Sequence, residues 1–391
     1  MSDGPFIFLL LAGFYLTECL IWVPSGSWVF VGDWAGRWTF RPATSGVGND
    51  RGRLVFAGIF PWAAGCCVAE EWRFMAGRTF VSTFRIPAPG LGSRIPVPPV
   101  TLRREDLGRV TLQDRSILQP GGIPVAVYAN AVSAAKWTEI LRRLSSPGEW
   151  PGSVVQAFEA ADDSKVLEER MAVFSAARNW LNLLGLNLFL LLFLAAPLCY
   201  HWGGGIRLYL VFALILIHGG IGASLFARAH RRLYPSSRRD RWLQALQIAL
   251  VPTHAMRASD YLGKDSAGSA HPLAVAGCLL DKPRHRRLAS VFASDLSAPL
   301  PFPDISADVK TAAEEFHRDV ELPLLQQRME AAGLDWAALT AMPEPGMTGK
   351  AVCPRCRAEY EARILACEDC RGIATRVIPA LKPDSDVPRG K

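Results

Sequence analysis

The sequence predicts a multi-pass α-helical membrane protein with an α+β cytosolic domain and a small C-terminal zinc ribbon. Three observations lead to this fold class. The chain of 391 residues has three apolar runs of membrane-spanning length, mixed β-prone and helical patterns over residues 25–180, and two C-x-x-C pairs near its end. Hydrophobic residues make up 50% of the chain and charged residues 20%, which disfavours a generic soluble enzyme and excludes wholesale disorder.

The apolar runs comprise residues 6–24, 181–200 and 206–227. Each has about 20 residues, the length with which a helix crosses a hydrocarbon core of about 30 Å. A cleaved signal peptide is the alternative for the first run. The preceding residues 1–5 lack the positive charge of a signal sequence, so we expect a retained anchor with a short outer N-terminus. The sequence therefore predicts three transmembrane helices.

Arginines near the ends of these runs predict the orientation, because cytoplasmic flanks carry an excess of positive charge. Six follow the third run: Arg228, Arg231, Arg232, Arg238, Arg239 and Arg241. The connector 201–205 has no Lys or Arg. We therefore expect a bacterial inner-membrane protein with its N-terminus outside and both soluble regions in the cytoplasm. The six arginines are also expected to contact lipid head groups, and a helix over 241–251 either lies in the interface plane or is buried.

The first soluble region, residues 25–180, predicts an α+β domain. Gly32, Asp33 and Gly36 separate two short β-prone runs, which is typical of a hairpin. The helical pattern of residues 161–180 is expected to continue directly into the second membrane helix.

The second soluble region, residues 228–345, predicts a basic juxtamembrane segment and mostly helical structure. We expect loops and short elements over 263–305, and a helix over 306–340 that Pro323 breaks or kinks.

Two C-x-x-C pairs carry the strongest chemical signal, with ten residues between them: Cys353, Cys356, Cys367 and Cys370. Each pair can direct two thiolates at one ion, and four thiolates form the closed, tetrahedral structural zinc site. Residues 351–376 resemble a rubredoxin-like zinc ribbon, although Arg357 departs from the glycine frequent at that position. The resemblance implies a structural zinc ion, with iron as the alternative. The ribbon is expected over 346–378, followed by a disordered tail over 379–391.

Glu18 and His218 are ionisable residues inside apolar runs, which marks them as candidate functional residues. From the predicted topology they lie about 9 and 14 Å from the inner ends of their helices, so they are expected to meet as an intramembrane pair. The alternative is that Glu18 snorkels inward and His218 bonds a backbone carbonyl.

The functional prediction is a membrane-anchored scaffold or assembly protein with an unidentified protein partner. A subunit of a membrane transport or enzyme complex, using Glu18 and His218 and open to homo-oligomerisation, is the alternative. Nucleic-acid recruitment is weaker, because the net charge of +7 is concentrated beside the membrane. The familiar nucleotide-binding and hydrolase motifs are absent from the sequence, which disfavours an enzyme.

Overall fold

The structure is a computed structural model. It describes residues 3–24, 28–33, 35–42, 47–49, 52–60, 65–69, 75–76, 79–81, 101–103, 108–113, 116–118, 120–122, 124–127, 138–139, 142, 164–235, 238–264, 266–267, 270–297, 318, 322–341, 350–353, 359–366 and 374–378. The chain divides into two compact units, Met1–Asp281 and Lys282–Lys391, and each is described by itself.

The first unit contains both helices and strands. Its described helices are α1 (Asp3–Glu18), α2 (Ser164–His201), α3 (Gly205–Leu233), α4 (Arg238–Leu250), α5 (Pro252–Met256), α6 (Ala258–Gly263) and α7 (Pro272–Leu279). Its described strands are β1 (Leu20–Pro24), β2 (Trp28–Gly32), β3 (Trp38–Pro42), β4 (Val47–Asn49), β5 (Gly52–Phe56), β6 (Gly65–Ala69), β7 (Met75–Ala76), β8 (Thr79–Val81), β9 (Thr101–Arg103), β10 (Thr111–Gln113), β11 (Ser116–Leu118) and β12 (Pro124–Val127).

Helices α2 and α3 form an apolar hairpin. Within the described part of the chain, they are the two helices long and apolar enough to cross a membrane. Gly203, Gly204 and Gly205 have positive φ angles, a conformation that glycine adopts without steric cost, and they allow the tight turn between the helices. The predicted apolar helical hairpin is confirmed, as is the continuation of the helix before residue 181 into the apolar run.

Helix α2 contains one irregular turn. Residues Leu191–Ala195 adopt a π-helical conformation just before Pro197. Proline lacks an N–H group and cannot complete the α-helical bonding pattern, so the wider turn accommodates it without ending the helix.

The predicted first span, 6–24, is wrong in its extent. Helix α1 ends at Glu18, and Leu20–Pro24 form β1, which pairs antiparallel with β5. Ile21 and Val23 of β1 are buried in a core cluster with Val29, Val55 and Ala57. The apolar run continues past the helix because its last residues form the core of a sheet, and β-branched side chains pack well there.

Strands β3, β2 and β6 form an antiparallel sheet in that order. The predicted hairpin is the β2–β3 turn, which confirms that prediction. The Asp33 carboxylate accepts hydrogen bonds from the backbone N–H of Arg37 at 2.8 Å and from the Arg37 guanidinium at 2.7 Å.

The N-terminal half of α2 packs on this sheet through Arg178. Its guanidinium carbon lies 4.5 Å from the centre of the Trp38 ring, and the Trp38 and Phe174 rings are 6.0 Å apart. Gly32 and Gly65 pair directly across β2 and β6, and a Cβ on either would overlap the Arg178 side chain. The absence of side chains at these two glycines therefore creates the space for a buried, stacked arginine.

Helix α4 folds back along α3. A Cβ added at Gly219 would lie 2.9 Å from the carbonyl oxygen of Ala249. A Cβ added at Gly222 would lie 3.6 Å from the Ile248 side chain. Because only a short connector separates the two helices in sequence, these contacts require an antiparallel arrangement. Helices α5 and α6 then return towards the end of α3, where the Tyr234 hydroxyl donates to the Leu262 carbonyl at 3.2 Å.

The second unit is described over α8 (Lys282–Ser297), α9 (Leu322–Ala331), α10 (Trp336–Thr340), β13 (Lys350–Val352), β14 (Glu359–Glu361) and β15 (Arg376–Ile378). The expectation of only loops and short elements over 263–305 is wrong, because α8 is a 16-residue helix. Its buried Leu288, Ala289 and Phe292 lie on one face, a periodicity that the basic residues before them obscure.

Pro323 is the second residue of α9 as described (Leu322–Ala331), and residues 319–321 before it lie outside the described part of the chain. The predicted break or kink at Pro323 therefore stays a prediction. Most of the helix predicted over 306–340 before that point lies outside the described residues, as does the predicted tail over 379–391.

Candidate functional site

Ionisable side chains converge where α1 ends against α5 and α6. Glu18 is the last residue of α1, His254 lies in α5, and Asp260 and Tyr261 lie in α6. Arg257 occupies the junction between α5 and α6. We call these five residues the ionic cluster.

Glu18 is the acceptor at the centre of one half of the cluster. Its Oε2 atom lies 3.2 Å from Nδ1 of His254 and accepts a hydrogen bond from the Tyr261 hydroxyl. A carboxylate only accepts hydrogen bonds, so Nδ1 of His254 carries the proton. The His254 and Tyr261 rings are stacked, with centres 4.1 Å apart. These contacts join the apolar first helix to the segment after α4.

Arg257 and Asp260 form the other half. Their side chains make an ion pair and both are completely buried. The Arg257 guanidinium also lies within electrostatic range of the Glu18 carboxylate. Removing two charges from water is costly, so their burial requires the close pairing observed.

The cluster contains more carboxylates than guanidinium groups. The carboxylates of Glu18 and Asp260 both lie within electrostatic range of the Arg257 guanidinium. Nε2 of His254 is buried and has no hydrogen-bond partner within the described structure. The cluster thus combines a buried ion pair with a buried imidazole nitrogen beside a carboxylate.

Tyr261 stays a donor in this setting. Burial, and then its hydrogen bond to Glu18, raises the pKa of Tyr261 well above the ordinary value for tyrosine. The hydroxyl therefore remains protonated at neutral pH and keeps the Glu18 carboxylate in place.

The predicted pairing of Glu18 with His218 is wrong. Glu18 bonds His254 and Tyr261 instead, while Nδ1 of His218 donates to the Leu214 carbonyl of its own helix at 2.8 Å. The predicted depths of Glu18 and His218 along two separate helices could not reveal that the chain after α4 returns to the end of α1. The alternative stated for His218, a bond to a backbone carbonyl, is what the structure contains.

The six predicted membrane-side arginines lie near the joined ends of α3 and α4. Five are exposed and one, Arg241, is half-buried. The basic residues in the last turn of α3 also complement the negative end of the helix dipole.

The predicted four-cysteine site lies largely outside the described residues. Cys353 is described and buried at the end of β13, whereas Cys356, Cys367 and Cys370 are not described. Among the described residues, no group of three or more His, Cys, Asp or Glu side chains is placed to hold a metal ion.

The strands around the predicted site have a hairpin arrangement. Val352 pairs with Glu359, so β13 and β14 flank the first C-x-x-C pair, and an isolated bridge joins Ala366 to Ala374 on either side of the second. The two ends of each cysteine-bearing segment therefore lie close together.

Four residues of the ionic cluster were not predicted as site residues from the sequence: His254, Arg257, Asp260 and Tyr261. Their signal lies in the segment 251–263, where charged side chains alternate with small and apolar ones. His254 and Asp260 are close in sequence, but nothing in that spacing points to Glu18, which precedes His254 by 236 residues.

The fold and the cluster define a protein with helical and small sheet regions, two apolar helices of membrane-spanning length and a buried ionic cluster. Comparison with known proteins finds no matching family model, and neither a curated protein nor a solved structure matches the chain. Function is therefore inferred from the residues themselves.

Proposed function

We propose that the protein is a bacterial inner-membrane scaffold that holds its soluble regions at the cytoplasmic surface for assembly with a protein partner. The main support is α2, a single 38-residue helix that combines an apolar half with a half packed on the β3–β2–β6 sheet. A continuous helix transmits position rigidly, so the sheet is held at a fixed height above the bilayer.

In this proposal α2 and α3 cross the bilayer, and α1 inserts beside them as the third membrane helix. Helix α1 has 16 residues, and at 1.5 Å per residue it extends about 24 Å, somewhat less than the hydrocarbon core. Phe8 and Tyr15 of α1 contact the ring of Phe193 in α2, each with ring centres 5.7 Å apart. The N-terminus lies outside, and the turn between α2 and α3 is outside as well.

Reporter fusions test this topology. Alkaline phosphatase fused after Gly203 should be active, because the turn is outside. Green fluorescent protein at the C-terminus should fluoresce, because that end is cytoplasmic. The reverse pattern contradicts the orientation, and release of the chain by alkaline carbonate contradicts membrane insertion.

The zinc ribbon is proposed as the docking module of this scaffold. The cysteine spacing and the flanking strand pairs support a bound zinc ion, held by Cys353, Cys356, Cys367 and Cys370, with iron as the alternative metal. The ion would serve to fold a segment too small to fold by itself, since four protein ligands leave no open position for catalysis.

Affinity purification of the detergent-solubilised chain tests the scaffold role. A partner should co-purify in fixed stoichiometry with the wild type and with Cys199→Ser, the control for loss of a cysteine outside the ribbon. Cys353→Ser should lose that partner while the membrane unit remains folded. A single species that binds nothing contradicts the proposal.

The ionic cluster favours a second candidate function, a proton-holding subunit of a membrane transport or enzyme complex. The supporting observation is the buried, unbonded Nε2 of His254 beside Glu18. Infrared difference spectra recorded across a pH step should show a proton-dependent imidazole signal that Glu18→Gln shifts. Glu169→Gln, a change at an exposed carboxylate, is the control and should leave it unchanged. Identical spectra for Glu18→Gln and wild type contradict this function.

A further inference from the structure

We propose that α4 enters the acyl-chain region of the bilayer as the first arm of a re-entrant hairpin, which α5 and α6 complete. This inference rests on the membrane location proposed above. It differs from the two alternatives that the sequence leaves open, a helix lying in the interface plane or a simple buried helix.

The first observation is the path that α4 takes along α3. The backbone of α4 at Ile248 and Ala249 lies against Gly219, which is about 14 residues before the end of α3 at Leu233. At 1.5 Å per residue, the end of α4 has therefore travelled back along α3 by about 20 Å. A helix in the interface plane would cross α3 near its end and would not reach Gly219.

The return path supports the same geometry. Met256 of α5 lies against Gly185 of α2, where a Cβ would come within 2.7 Å of the Met256 carbonyl oxygen. The chain is back at the end of α3 by Leu262, whose carbonyl accepts the Tyr234 hydroxyl hydrogen bond. The tip of the hairpin is therefore near Val251 and Pro252, between the two arms.

The outer face of α4 is strongly apolar. Its exposed residues are Trp242 (60%), Leu243 (51%), Leu246 (55%) and Leu250 (64%), followed by Val251 (42%). Its buried residues, Ala245 and Ile248, face the other way, and the Ile248 backbone and side chain lie against α3. Ile217 (55%) and Ile221 (47%) of α3 are exposed as well.

The positions of the arginines indicate how far α4 enters the bilayer. With Ala249 level with Gly219, equal helical rise places Arg241 level with about residue 227 and Arg238 with about residue 230 of α3. The arginines of α4 thus share one level with Arg228, Arg231 and Arg232. This arginine layer matches anionic head groups, and the Trp242 ring follows it on the apolar side, as tryptophan does at membrane interfaces.

These features identify the occupant of the apolar face as lipid acyl chains. Leu250 lies about 13 Å beyond Ala227, where the apolar run of α3 ends, and Arg239 lies about 16 Å from Leu250 along the helix. Backbone polar groups need partners at that depth. Near the tip, the Val251 N–H donates to the Gln247 carbonyl at 2.8 Å and the Ala255 N–H donates to the Val251 carbonyl at 3.0 Å.

Spin-label depth measurements in lipid nanodiscs test the inference. The labelled residue p-acetylphenylalanine replaces Arg239, Leu246 or Leu250 in separate full-length chains, and Ile217 of α3 serves as the reference inside the bilayer. This label avoids the native cysteines. Collisions of the spin label with oxygen report its exposure to acyl chains. Collisions with a water-soluble nickel chelate report its exposure to water.

The expected result is a gradient, with oxygen accessibility rising from Arg239 through Leu246 to Leu250, which should approach Ile217. Nickel accessibility should fall in the same order. If Ile217 is oxygen-accessible but Leu250 matches Arg239, α4 lies at the surface and the inference is wrong while the membrane location stands. If Ile217 itself is accessible to nickel, the membrane location is wrong. Leu246 gives an independent reading should the Leu250 variant fail to fold.

Discussion

Gly219 and Gly220 are neighbours in α3 that differ in what surrounds them, and this provides a matched test of the folded-back helix. A Cβ at Gly219 would lie 2.9 Å from the Ala249 carbonyl oxygen, which is closer than side-chain carbons approach backbone oxygens in proteins. A Cβ at Gly220 would have no atom within 4 Å. Gly219→Ala should therefore push α4 away from α3, whereas Gly220→Ala should not.

The size of the effect follows from comparing the two variants. Both replace glycine by alanine in the same helix, so both gain about 1 kcal/mol of helix propensity, and this gain cancels in the comparison. What remains is the overpacking at Gly219, which typically costs about 1–3 kcal/mol. For a unit of this size, each kcal/mol lowers the midpoint of thermal unfolding by about 2–4 °C.

Thermal unfolding of both purified variants in the same detergent, followed by tryptophan fluorescence, measures this difference. We expect Gly219→Ala to unfold at a temperature lower than Gly220→Ala by about 2–12 °C. Equal midpoints would refute the close packing of α4 on α3, and with it the re-entrant path. Gly185→Ala should behave like Gly219→Ala, because its Cβ meets the Met256 backbone at 2.7 Å.

Three further predictions concern the buried charges, a buried thiol and the metal. Arg257→Met should lower the free energy of unfolding by about 3–5 kcal/mol, because the Asp260 carboxylate stays buried without its main counter-charge. Arg257→Met combined with Asp260→Leu should be less destabilised than the sum of the single variants, and strict additivity in denaturant titrations would contradict the pairing. Burial, and secondarily the Glu168 carboxylate, raises the pKa of the Cys278 thiol to about 11. Its alkylation, followed by peptide mass mapping, should therefore be roughly 300-fold slower at pH 7.5 than that of an ordinary thiol and should accelerate up to about pH 11; a plateau near pH 9 would show an unperturbed thiol. The purified chain should contain about one zinc ion by elemental analysis, and Cys353→Ser should lose it; equal metal content in both would rule out the four-cysteine site.

Local patterns predicted several elements well. The turn between β2 and β3 follows from Gly32, Asp33 and Gly36, because small residues and an acceptor side chain favour a tight reversal wherever they occur. The two long apolar helices follow from runs of consecutive leucine and phenylalanine, which have few other stable environments. The end of α1 was missed, since an apolar run does not reveal whether its last residues continue a helix or enter a sheet core.

Only part of the ionic cluster could be predicted from the sequence. The sequence marks Glu18 as unusual because it is an ionisable residue in an apolar run. It does not indicate which residues Glu18 contacts. Its partners, His254 and Tyr261, depend on the path of α4 and α5, and no local pattern encodes a contact over 236 residues. The helical depths that suggested His218 treat each helix as an isolated rod and ignore the chain that packs between them.

By itself, the sequence determined the apolar helical hairpin, the arginine-rich end of α3 and the cysteine spacing, because hydrophobic length, charge and ligand spacing are local properties of the chain. The tertiary structure decided which residues meet. It placed Arg178 over Gly32 and Gly65, turned α4 back to Gly219, and brought Glu18 to His254. Each of these contacts depends on the close approach of two distant segments, and close packing of that kind is set by the whole fold rather than by any one stretch of it.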